Sequence, residues 1–222
     1  MKSLDVARVR ELLFSLISRG ESEINSIIRD LKLSREDIEK IFDKLNLDLG
    51  KASKIDLAIK YIELGGDPEK VGGFLDWRDF ESFVSELLKF YGYIVFKNIR
   101  APPPRGFEID VIGIDPSKRR VIVIDCKHWK RSRESALREV AKELIVKIDR
   151  LFSRCMYMLR LYNEFRGVYS VIPLIVTLRE TISRKIDNHV IISPVIYLRD
   201  LMNNLDLYIE LLEIKPLIKT CL

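Results

Sequence analysis

Two short apolar runs in the middle of the chain each carry an acid that a buried strand does not readily tolerate. They are Phe107-Glu108-Ile109-Asp110-Val111-Ile112-Gly113-Ile114 and Val121-Ile122-Val123-Ile124-Asp125-Cys126-Lys127. The connector Asp115-Pro116-Ser117-Lys118-Arg119-Arg120 has turn chemistry, so the pair reads as an antiparallel hairpin. If Ile114 pairs with Val121, the register sets Asp110 opposite Asp125. Like charges roughly 5 Å apart across a ladder destabilise it. A hard divalent cation, which prefers oxygen ligands, would remove that repulsion. Strand alternation also puts Lys127 on the face of Asp125 and turns Ile122, Ile124 and Cys126 away. Two carboxylates and one ammonium therefore converge on one spot.

An acid-x-Lys triplet alone proves little, since Asp30-Leu31-Lys32 and Glu213-Ile214-Lys215 have it too, but neither of these follows an apolar strand run. In its context Asp125-Cys126-Lys127 resembles the PD-(D/E)xK, restriction-endonuclease-like nuclease superfamily. The likeness is greatest to Mrr-like enzymes and archaeal Holliday junction resolvases and spans roughly residues 77–194. It implies an α/β fold with a mixed sheet flanked by helices in the order αβββαβ. The implied activity is hydrolysis of DNA phosphodiester bonds by water with Mg2+ or Mn2+, in repair, recombination or restriction. In this resemblance Asp110 and Asp125 ligate the metal together with the Cys126 backbone carbonyl. Lys127 orients or helps deprotonate the attacking water and offsets charge in the transition state.

The superfamily also places a Glu on the helix before the hairpin, where Glu81 and Glu86 are available. At 100° per residue, Phe80, Phe83, Val84, Leu87 and Tyr91 form one stripe. Glu81 lies at its edge beside Leu88 and is the expected ligand; Glu86 points the other way. Gly92 reads as the helix cap and residues 93–96 as the first strand. His128 and Trp129 complete a Mrr-like Cys-Lys-His-Trp string, whereas the Gln often found on the following helix is missing from residues 134–165. Blander readings exist: Asp110 as a solvated strand residue, Lys127 as a simple ion-pair partner of Asp125, Glu81 as an ordinary helix residue. The alternative function is a non-catalytic DNA-binding or scaffold protein that retained the nuclease fold.

Basic residues cluster around the hairpin. Between residues 97 and 133 there are ten Lys and Arg against four acids, enough to supply the whole net charge of +5. Arg100 and Arg105 precede the hairpin, Lys118, Arg119 and Arg120 sit in its turn, and Lys130, Arg131 and Arg133 follow it. Such groups suit contacts to a DNA backbone, with an affinity that falls with salt. A homodimer is the expected assembly by analogy, because duplex cleavage needs two sites.

The elements that must position these groups follow from the rest of the sequence. Its 222 residues, 47% hydrophobic and 32% charged, suit one medium domain plus a small one. Residues 1–73 read as a helical module with helices at 4–17, 24–31, 34–45 and 53–64, bounded by Gly65-Gly66-Asp67-Pro68 and Gly72-Gly73. The stretch 24–38 resembles a helix-turn-helix core, which invites DNA binding. Yet residues 1–70 hold thirteen basic and fourteen acidic groups, so a structural or protein-contact role is favoured. A regulator with a ligand-sensing C-terminal domain is a further reading. Residues 74–222 are expected to form the nuclease-like domain, with a long helical stretch at 134–165, strands at 171–177 and 190–192, and a helix at 194–205. Cys126, Cys155 and Cys221 have no pair spacing, so neither a zinc site nor a disulfide framework is expected. No run approaches the ~18 apolar residues of a membrane span, the first residues lack a signal-peptide core, and the cytoplasm is the expected compartment.

Overall fold

The computed structural model describes residues 5–103, 106–129, 133–161 and 163–221, and the chain divides into two compact units, Met1–Phe83 and Val84–Leu222. In the first unit α1 (Val6–Arg19), α2 (Ile24–Leu31), α3 (Arg35–Lys44), α4 (Lys54–Glu63) and α5 (Pro68–Gly72) follow one another. Ser34 and Ser53 each form a capping box, with Asp37 and Asp56 respectively, which satisfies amide groups that a helix start leaves open. Lys32 closes α2 in the left-handed region at φ 51° and turns the chain into α3. Leu12, Leu13, Leu16, Ile27, Ile38, Ile41 and Leu57 make a dry core. The outer face of α3 carries the surface pairs Arg35–Glu39 and Lys40–Glu36.

The helix α6 (Trp77–Phe90) begins in the first unit and ends in the second. After it come β1 (Ile94–Ala101), β2 (Phe107–Asp115) and β3 (Arg120–Lys127), then α7 (Glu134–Ser153) and α8 (Cys155–Leu161). The remainder is β4 (Gly167–Thr177), β5 (Lys185–Ile186), β6 (Val190–Pro194), α9 (Val195–Asn203), α10 (Leu205–Leu211) and β7 (Leu217–Cys221). The strands join one mixed sheet in the order β1-β2-β3-β4-β6-β5, with β7 also on β4. The first three strands form an antiparallel meander, and β3, β4 and β6 run parallel. Parallel neighbours need a crossover, which α7 supplies between β3 and β4.

α7 lays Leu137, Ala141, Leu144, Ile148 and Leu151 on one face of the sheet, against Val121, Val123, Val171, Ile175 and Ile192. The end of α6 packs on the opposite face, where a Cβ added to Gly113 would stand 2.6 Å from Leu88 Cδ2. This is the mixed sheet flanked by helices that the resemblance to the nuclease superfamily implies. Several details differ from the sequence expectation. The first strand runs on to Ala101, because Lys97 to Ala101 still pair with β2. The helical stretch after the hairpin breaks at Arg154 into α7 and α8. A short edge strand, β7, closes the chain.

That last strand overturns the expectation for the cysteines. β7 pairs antiparallel with the start of β4 and brings Cys221 to Cys155 at the head of α8, where they form a disulfide. The bond spans 66 positions of sequence, and linear spacing holds no trace of a contact made by sheet pairing. Cross-linking so long a loop restricts the unfolded chain by about 4 kcal/mol in the chain-entropy treatment. Reduction of the wild type is therefore expected to lower its thermal midpoint in differential scanning calorimetry. A Cys155→Ser variant should start at that lower midpoint and ignore the reductant.

Candidate active site

The hairpin has the register that its sequence implies. Ile114 pairs with Val121, Ile112 with Val123 and Val111 with Ile124. Its turn is held by Asp115, whose carboxylate accepts hydrogen bonds from the amides of Ser117 and Lys118 at 3.0 and 3.2 Å. The ladder stops at Val111 and Ile124, one rung short of Asp110 and Asp125.

A reversal of the strand pleat on the other side of β2 accompanies this stop. Asn98 faces the Asp110 rung from β1, takes φ 51° and is left out of the pairing, although Lys97 pairs with Val111 and Ile99 with Ile109. Asn tolerates this left-handed conformation better than most residues. Phe96 lies before Asn98, and Ile99 and Ala101 after it, yet all three pack against the α7 core. On β2, Phe107 and Ile109 join the same core as Ile112 and Ile114. Odd and even positions thus exchange faces at the Asp110 rung, which strict alternation does not anticipate.

At that rung the Asp110 carboxylate leaves the ladder geometry and accepts a hydrogen bond from the Cys126 amide at 2.7 Å. Asp125 is 4% exposed on the α7 side of β3, in register with Ile175 of β4. Lys127 follows two residues on, with Nζ 2.5 Å from Asp125 Oδ1 and 5.8 Å from the centre of the Trp129 ring. A second lysine, Lys147 of α7, stands 3.4 Å from Oδ2 of the same carboxylate.

The electrostatics follow from this crowding. Burial, and then the charge of Asp125, raises the Asp110 carboxyl above the usual carboxylate range, against the opposing pull of the Cys126 amide and both lysines. For Lys127 burial alone would favour the neutral amine, but Asp125 and Asp110 together outweigh it and hold the ammonium above its usual value. Asp125 Oδ1, though ion-paired, is buried and accepts no well-directed hydrogen bond. A buried carboxylate oxygen with spare acceptor capacity beside a second carboxylate is a donor set that fits a hard cation. Among the described residues, no three side chains of the Asp, Glu, His and Cys types stand together as a metal centre. Side chains alone thus offer such an ion two carboxylates.

Residues 74–148 match the Mrr catalytic domain family, described as a restriction endonuclease. This segment is a restriction-endonuclease-like domain of the PD-(D/E)xK type. The match covers the hairpin, Asp110, Asp125, Lys127 and Lys147. No curated protein matches the chain. Among solved structures, protein VC1899 from Vibrio cholerae has 13% identity and a TM-score of 0.39 over 95% of this chain and 58% of that one. The Thermococcus gammatolerans assembly of McrB AAA+ hexamers with bound McrC has 10% identity and a TM-score of 0.30, over 88% of this chain and 48% of that one. The chain therefore spans little more than half of one of these structures and less than half of the other.

Glu81 is 9% exposed on α6 and belongs to the first unit, whereas Asp110, Asp125 and Lys127 belong to the second. Glu86 turns outward to an ion pair with Lys89 at 2.8 Å. Lys118, Arg119 and Arg120 occupy the hairpin turn, at the end of β3 opposite Lys127 and about 20 Å away at 3.3 Å per residue. Lys118 and Arg120 both pair with Asp206 of α10, so the turn does not form part of a basic rim around the carboxylates. Arg100 pairs with Glu108 at 2.7 Å, and Arg133 is exposed just before α7. Arg105, Lys130 and Arg131 lie outside the described residues.

Lys147 is the site residue that the sequence reading passed over. Its signal was present: it lies three residues after Leu144 and four before Leu151, at the edge of the buried stripe of α7. A lysine there can run its stem along the core and carry its ammonium to a buried acid.

Proposed function

We propose that this protein is a metal-dependent DNA endonuclease that hydrolyses phosphodiester bonds by direct attack of water. The observation that carries the reading is the meeting of Asp110, Asp125 and Lys127 at the open end of the hairpin, within a segment that matches restriction endonucleases. Asp110, Asp125 and the Cys126 carbonyl would hold a Mg2+ or Mn2+ ion. When bound, such an ion polarises phosphoryl oxygens and makes a water molecule more acidic.

The protein's own groups then have separate tasks. Asp110, anchored on the Cys126 amide, keeps its carboxylate at the rung where β2 and β3 part. Lys127, charged and braced by Asp125, orients the water and offsets negative charge as the new oxygen–phosphorus bond forms and the backbone oxygen leaves. In this reading residues 74–222 are the catalytic domain and residues 1–73 a separate helical module suited to a protein contact. Two copies acting together would cut both strands of a duplex. Arg100 and Arg133, with Arg105, Lys130 and Arg131, supply backbone contacts, and the cytoplasm is the expected setting. Repair, recombination and restriction are the roles open to such an activity.

The test is a cleavage panel of supercoiled plasmid, linear duplex, single-stranded and four-way-junction DNA, with magnesium or with chelator. Magnesium-dependent cutting of at least one substrate is expected. A folded wild type that cuts none with either magnesium or manganese would favour a non-catalytic DNA-binding or scaffold protein on the same fold.

A further inference from the structure

The carboxylate of Asp125 is gripped from two sides by two different elements. Lys127 comes from the same strand and meets Oδ1, and Lys147 comes from α7 and meets Oδ2. Both lysine side chains are about three-quarters buried, at 24% and 25% exposure, so neither pair is an ordinary solvent-screened surface bridge. The formal charges of Asp110, Asp125, Lys127 and Lys147 cancel. A buried charge set is stable in that balanced condition, and adding a divalent cation to it overloads it with positive charge.

We infer that Lys147 is the counter-ion that Asp125 gives up when the site takes a divalent cation, and that this lysine therefore sets the cation affinity of the site. The inference rests on the nuclease reading above for the identity of the site as a cation site. Lys127 is the strand residue assigned to the water, and its distance to Asp125 is fixed by a two-residue spacing on one strand. Lys147 has no such tie. It reaches the carboxylate at the end of a four-carbon stem from a helix, and it sits on the oxygen that Lys127 leaves open. Two like charges within a few ångströms of one ligand weaken each other's binding to it, so the ammonium and the cation compete for Asp125. The anionic phosphodiester of DNA restores the balance, and cation and DNA should bind cooperatively as a result. Lys147 is a positioning residue in this scheme, acting through Asp125.

The experiment is isothermal titration of the full chain with Ca2+, an ion chosen as a binding probe, for wild type, Lys147→Gln and Lys147→Arg. Circular dichroism confirms that each is folded. Lys147→Gln should bind Ca2+ about tenfold more tightly than wild type, while Lys147→Arg, which keeps the charge, stays near the wild-type value. Equal affinities of wild type and Lys147→Gln, or weaker binding by the variant, would overturn the inference and leave the nuclease reading standing. Absence of Ca2+ binding in both proteins would overturn it together with the cation site. Tighter binding by Lys147→Gln in a protein whose wild type cuts no DNA would support the inference and remove the nuclease.

Discussion

Replacing Lys127 by methionine will lower the rate of DNA cleavage by about 10²- to 10³-fold, the usual cost of deleting one group aimed at developing transition-state charge. The substitution keeps an unbranched side chain and removes the ammonium, which stands 5.8 Å from the centre of the Trp129 ring. The fold should survive, because Asp125 retains Lys147 as a partner. The charge state of Lys127 also decides between two catalytic roles. Burial pushes the amine toward neutrality, but Asp125 and Asp110 push harder, and the ammonium is held above its usual range. A group charged throughout neutral pH is poorly suited to taking a proton there. In the proposed reaction Lys127 would accordingly act as a fixed cation that orients water and offsets charge. Cleavage rates of the wild type should show no loss attributable to this group until strongly alkaline pH. A rate that rises through neutrality and is flattened by Lys127→Met would instead assign it the role of base.

Asp110→Asn should make the metal-free protein more stable at neutral pH and should abolish the stabilisation that Mg2+ confers on the wild type. The reason is the cost of a second carboxylate beside Asp125. The Asp110 carboxyl is raised above its unfolded value of 3.8, first by burial and then by Asp125. The folded state thus retains the proton longer than the unfolded state. Its contribution to stability is fully present below the unfolded value and is lost as pH rises through the raised, folded one. Wild-type metal-free stability should accordingly carry a falling component just above the ordinary carboxylate range. The asparagine variant lacks that component, and its side-chain oxygen still accepts from the Cys126 amide. Its thermal midpoint at neutral pH should exceed that of metal-free wild type by about 3 °C, the shift that roughly 1 kcal/mol produces in a chain of this size. Added Mg2+ should raise the wild-type midpoint and leave the variant's unchanged. Thermal melts at pH 4 and 7, with chelator and with Mg2+, would show whether the signs are right.

What was legible in the sequence was what depends on local period. The hairpin, its register and the shared face of Asp125 and Lys127 follow from a repeat of two and a turn between Asp115 and Arg120. The helices of the first unit follow from apolar spacing. Two kinds of feature were hidden. One arises where regular geometry breaks: the left-handed Asn98 exchanges the faces of β1 and β2, so Asp110 meets the Cys126 amide instead of squarely facing Asp125. The other arises from contacts between distant segments. Lys147 reaches Asp125 only because α7 crosses that face of the sheet, and Cys155 meets Cys221 only because β7 returns to β4. The basic turn shows the converse. Lys118 and Arg120 are near the acids in sequence, yet β3 carries them to its far end, where both pair with Asp206.

The most direct measurement is DNA cleavage by wild type and Lys127→Met side by side, each with Mg2+ and with chelator, after both are shown to be folded. Cutting by the wild type with Mg2+ alone, and little or none by the variant, is the expected result. Equal cutting by the two proteins, or wild-type cutting that chelator does not stop, would contradict it.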